Sequence, residues 1–178
     1  DISEDARVEL ARLFYSFYAG LLLQNAAFAA ASAEIPLSLD LYEKAAVFRT
    51  FSDLAAVDGL DAFGEKVDFR QLYRGAELVR RSLTVFAASA GGWDLPGKVK
   101  FQTPLGFVAL GGTGKEHYKA TEPGHLLVLD LGGDDKYSGP LGATRYGVPL
   151  SVILDLGGAD VYANEAEPEA SFAAGHLG

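Results

Sequence analysis

The chain contains no cysteine, no methionine and a single tryptophan, Trp93. Without cysteine there are no disulfides, no thiolate nucleophile and no sulfur-ligated metal. That absence suits an exported protein kept clear of stray thiols. Without methionine, residue 1 is not a translation start, and the expectation is that Asp1 follows a removed signal peptide. Positive charge is scarce: 15 Lys and Arg stand against 24 Asp and Glu, a net charge of −9. Nucleic acid needs clustered basic side chains, so this balance argues against it as a partner. No apolar run approaches the roughly 20 residues of a membrane span. The longest, Leu21 to Ala33, is broken by Gln24 and Asn25 and reads as a buried helix. Glycine is almost missing from the first half, since only 4 of the 21 glycines precede Gly91.

The two halves therefore have different textures. In the first, Ser3 ahead of Glu4 and Asp5 predicts a helix start, with acids favoured in the first turn, and a helix to about Ser32. A second helix is expected over 41–57 after a cap at Ser38 or Asp40. A third opens at Asp68 and ends at Gly91-Gly92. Its apolar stripe is Leu72, Ala76, Val79, Leu83, Phe86 and Ala90, with Arg70, Arg74, Arg80 and Arg81 on a solvated face. Trp93 to Pro96 reads as a linker.

The second half carries an internal repeat. Leu126 to Gly139 reads LLVLDLGGDDKYSG, and Ser151 to Asn164 reads SVILDLGGADVYAN. A weaker earlier copy, Thr103 to Tyr118, keeps Gly111-Gly112 but sets Ala109 where the others carry Asp130 and Asp155, with two extra residues before Tyr118. Repeats of this kind predict stacked coils. The expected architecture is α+β: a helical domain (1–95) capping a parallel β-solenoid of about three coils (96–178). Leu127, Leu129, Leu131, Val152, Leu154 and Leu156 would line the inside of the coil, and Tyr137 would stack on Tyr162.

Stacking at about 4.8 Å sets Asp130 over Asp155 and Asp135 over Asp160. Two such carboxylates repel by roughly 1 kcal/mol in water and by more in a buried corner. A hard cation liganded by Asp130, Asp134, Asp135, Asp155 and Asp160 offsets this, with Ca²⁺ the natural choice. Asp134 is replaced by Ala159 in the next copy. Two other readings stay open: aspartates capping the glycine turns, or a catalytic carboxylate pair.

The D-L-G-G-x-D-x-Y units resemble the Gly-Asp repeats of calcium-binding parallel β-rolls. With the preceding TPLGFVALGGTG they are more similar still to a poorly characterised group of exported bacterial proteins with rows of DLGGDDxY coils. That resemblance covers about residues 103–178 and implies a solenoid, without an activity. Where the pattern has Asp after GGTG, this chain has Lys115-Glu116-His117.

Gly124-His125-Leu126 returns as Gly175-His176-Leu177. These histidines would lie about 10 Å apart, too far to share an ion. They read as corner residues, with a general base as the alternative, and His117 reads as a solvated loop residue. The acidic run 164–169 reads as a surface segment. Gly178 falls where a further strand should begin, so the expected partner is the rest of a precursor or a second chain completing the coils. Three functions follow as expectations: a secreted, periplasmic or cell-surface calcium-binding scaffold; a fragment of a processed hydrolase; or a subunit of a filament or surface assembly.

Overall fold

The computed structural model describes residues 2–34, 64–95, 97–120, 124–143 and 149–163. The helix expected over 41–57, the acidic run 164–169 and His176 lie outside the described residues. The chain divides into two compact units, Asp1–Phe17 with Val79–Gly178, and Tyr18–Leu78. Two long helices, α1 (Glu4–Glu34) and α2 (Phe69–Ala90), precede strands β1 (Val99–Thr103), β2 (Gly106–Gly111), β3 (His117–Lys119), β4 (His125–Asp130), β5 (Lys136–Ser138), β6 (Val152–Asp155) and β7 (Val161–Ala163).

Both helix starts form as their caps predict. The Ser3 hydroxyl accepts the Ala6 N–H at 3.2 Å. One Asp68 carboxylate oxygen accepts the N–H groups of Arg70 and Gln71 at 3.0 and 3.2 Å. These bonds satisfy donors that a helix leaves open in its first turn. Along α2 the buried stripe runs through Leu72, Gly75, Phe86 and Ala90, while Ala76 is exposed and the four arginines face outward. Gly75 belongs to the stripe because a Cβ there would stand 3.0 Å from the Gly20 carbonyl. Around this close approach the smaller unit buries Ala27, Ala31 and Leu72. Among the described residues α1 is the one helix long and apolar enough to cross a membrane.

In the larger unit Leu10, Leu13 and Phe17 of α1 and Phe86 and Ala90 of α2 pack on Val108, Leu110, Leu127 and Leu129. The expected linker belongs to this core: Leu95 is buried, and Trp93 meets Phe86 edge-on at 5.2 Å.

The strands correct the expected fold. The parallel β-solenoid under a helical cap does not form; the described residues hold two separate sheets, neither closed. The first has the order β1-β2-β4-β6 and is mixed, and the second has the order β3-β5-β7. β1 pairs antiparallel with β2, and every other pairing is parallel. The hairpin turns at Pro104-Leu105, where proline presets the backbone. The Thr103 hydroxyl donates to the Gly106 carbonyl and accepts the Leu105 N–H. The leucines assigned to the inside of a coil face the other way. Leu127, Leu129, Leu131, Val152, Leu154 and Leu156 join the core under the helices. The space between the sheets is filled by Ala109, Val128, Ile153, Tyr118, Tyr137 and Leu141. β4 is consequently buried at all six positions, as a parallel strand covered on both faces must be.

Candidate metal centre

The first sheet's inward parity decides which side chains meet at its end. Val128 points between the sheets, so Asp130 does too, and it is fully buried. Register places Gly111, Asp130 and Asp155 side by side on β2, β4 and β6. The first repeat is therefore aligned through Gly111 rather than Ala109, with no insertion before Tyr118. The irregularity sits at a bulge between Phe107 and Val108. Gly111 has a clear reason to lack a side chain: a Cβ there would overlap the Tyr118 hydroxyl and an Asp130 carboxylate oxygen.

Asp130 accepts the Gly132 N–H at 2.8 Å on one oxygen and a short hydrogen bond from the Tyr118 hydroxyl on the other. Asp155 repeats the pattern with the Gly157 N–H at 3.1 Å and the Tyr162 hydroxyl at 2.6 Å. Turn capping by these aspartates is thus real. At the second acidic position, Asp135 accepts the Glu116 N–H at 2.6 Å, and Asp160 accepts the Asp135 N–H at 2.9 Å. Each acid ties down the corner of the preceding strand–turn–strand unit. The corners approach closely: a Cβ on Gly133 would overlap the Gly114 carbonyl, and at φ +136° only glycine is unstrained.

One carboxylate oxygen each from Glu116, Asp130 and Asp135 lies within 4.8 Å of the others, and these three acids could hold a metal ion. The cluster joins the end of β4 to the corners ahead of β3 and β5. Asp135 is 2% exposed, and its second oxygen has no hydrogen-bond partner among the described residues; the same is true of one Glu116 oxygen. Burial pushes the Asp130 carboxyl up to about 6, against the pull of its bonds from Tyr118 and Gly132. Burial, and then the neighbouring Asp135, raise Glu116. Lys98 is the nearby cation. Its ammonium donates to the His117 carbonyl at 2.6 Å and lies 4.2 Å over the Tyr118 ring, and burial lowers its pKa.

Of the five aspartates read from the sequence, the cluster brings together Asp130 and Asp135. Asp134 is exposed and accepts the Ala159 N–H. Asp155 and Asp160 belong to the next unit. Glu116 was not among the expected ligands. The signal that finds it is its place two residues before Tyr118, as Asp135 and Asp160 stand before Tyr137 and Tyr162. His117 is on β3 rather than in a loop, its ring bonded to the Ser138 hydroxyl at 2.6 Å. His125 is buried in β4 against Phe107. No family model, curated protein or solved structure matches the chain.

Proposed function

We propose that the chain is a calcium-dependent structural module, in which one ion bound by Glu116, Asp130 and Asp135 fastens the acidic corners of neighbouring repeats together. One observation carries this: the buried oxygen of Asp135, unpartnered beside two further carboxyls. A buried acceptor with nothing to accept costs free energy, and three converging carboxylates repel unless a cation or shared protons intervene. The donors are all oxygen, the chemistry of a hard divalent cation, and turn carbonyls can complete the shell of six to eight ligands that Ca²⁺ takes. This reading fits a protein working outside the cytoplasm as a scaffold. An ion bound only by the folded state raises stability by mass action. The test is thermal unfolding of the whole chain in Ca²⁺, in Mg²⁺ and in excess EGTA, with calorimetric titration. A melting temperature that is the same with Ca²⁺ and with EGTA refutes the proposal.

A further inference from the structure

The tyrosine column between the sheets begins with a cation. Tyr137 stacks on one face of the Tyr118 ring at 5.1 Å. That leaves the other face for Lys98, whose ammonium lies 4.2 Å from the ring centroid. The same ammonium donates to the His117 carbonyl at 2.6 Å. Both contacts border the acidic cluster. His117 follows Glu116 in the chain, and the Tyr118 hydroxyl donates to Asp130. The hairpin fixes this placement. Val99, the first residue of β1, pairs with Leu110, so Lys98 just before it comes level with Gly111, and Gly111 pairs with Asp130. The long unbranched side chain then reaches from β1 past β2 to the cluster.

A carbonyl and a ring face solvate an ammonium without neutralising it. Its charge therefore acts on the acids beside it. Burial and then Lys100 lower the Lys98 pKa, while Glu116, Asp130 and Asp135 all act to raise it. We infer that Lys98 is the tethered counter-cation of the acidic cluster: it offsets the repulsion among the three acids when no metal is bound, and it competes with the metal for them. This rests on the reading of the cluster as a calcium site. A divalent ion entering the cluster repels the ammonium. Lys98 is exposed, so its flexible stem can carry the charge out into water while the backbone stays in place. Lys100 supplies a matched comparison two residues along. Its ammonium also lies 4.2 Å over a ring, that of Phe107, but Phe107 pairs with His125 at the opposite end of β4 from Asp130.

Calorimetric Ca²⁺ titration of the whole chain tests this, comparing wild type with Lys98→Met, Lys98→Arg and Lys100→Met. Lys98→Met keeps the aliphatic stem and removes the charge. It should bind Ca²⁺ about three- to tenfold more tightly, because a like charge has left the site, and should melt lower than wild type in EGTA. Lys98→Arg keeps the charge and should stay close to wild type in both measurements. Lys100→Met should change the affinity by less than about twofold, since its charge is farther off and screened. A merely structural Lys98 predicts the opposite sign, because a damaged site binds the ion more weakly. Ca²⁺ bound by Lys98→Met no more tightly than by wild type overturns the inference and leaves the calcium reading standing. So does an equal gain in Lys100→Met, which marks net charge alone. Failure of both wild type and Lys98→Met to bind Ca²⁺ overturns the inference and the calcium reading together.

Discussion

Three tyrosines stand at the same place in successive repeats, yet their hydroxyls differ in what they touch. Tyr118 donates to buried Asp130 and Tyr162 to Asp155, whereas the Tyr137 hydroxyl is buried with no hydrogen-bond partner among the described residues. Tyr118→Phe leaves a buried carboxylate short of a donor and should cost about 1–3 kcal/mol in urea unfolding. Tyr137→Phe removes an unsatisfied group and should be neutral or stabilising in the same experiment. Asp135→Asn separates binding from folding. It should weaken Ca²⁺ affinity by about tenfold or more in calorimetric titration, because affinity follows ligand charge. It should also raise the melting temperature of the metal-free protein, because the buried oxygen without a partner gives way to an amide donor facing two carboxyl groups. At this scale the sequence shows the acids but not their grouping. Asp130 and Asp135 are legible from the repeat itself. Glu116 escapes because the glycine pair is the more conspicuous anchor, and alignment on it shifts the first repeat by two residues. Counting back from Tyr118, as from Tyr137 and Tyr162, sets Gly111 level with Asp130, which is the pairing the first sheet makes.

Elements were legible where a local signal exists and illegible where only tertiary contact decides. Ser3 and Asp68 announce α1 and α2, and both side chains make the cap bonds expected of them. Asp68→Ala should therefore cost about 0.5–2 kcal/mol, read by chemical denaturation. The β1 strand has alternation but no strong turn signal, since Pro104-Leu105 is not a favoured hairpin pair. It lies between the expected linker, which ends at Pro96, and the first repeat, which begins at Thr103, so the antiparallel half of the first sheet has no counterpart in the expected coils. Which face of β4 met the helices was also undecidable from its own residues. All six are buried, and a continuous apolar run has no period to read. The corner glycines carry the opposite kind of information. Gly133→Ala meets both an unfavourable φ and a neighbouring carbonyl, and should destabilise by at least about 1–3 kcal/mol.

For the molecule as a whole, the acidic cluster makes stability depend on pH in an unusual direction. Burial raises Asp130 from 3.8 in the unfolded chain to about 6 in the fold, and raises Glu116 as well. Between those values the folded protein holds more protons than the unfolded one, so stability falls as pH rises. The contribution is complete below about pH 4 and gone once pH passes about 6. Metal-free protein should therefore melt higher at pH 5 than at pH 7 in scanning calorimetry. Saturating Ca²⁺ should flatten or invert the trend, since the ion takes the deprotonated acids. The halves that the sequence distinguishes by glycine content survive as helices and sheets, but the chain's compact units do not follow that division, because α1 and α2 each contribute to both. The tyrosine column has a spectroscopic consequence of its own. Tyr118, Tyr137 and Tyr162 lie nearly parallel, with centroids 5.1 and 4.6 Å apart. At that spacing their ultraviolet transitions couple as a set of chromophores. The coupled near-ultraviolet dichroism then reports, without any added label, whether three successive repeats remain in step.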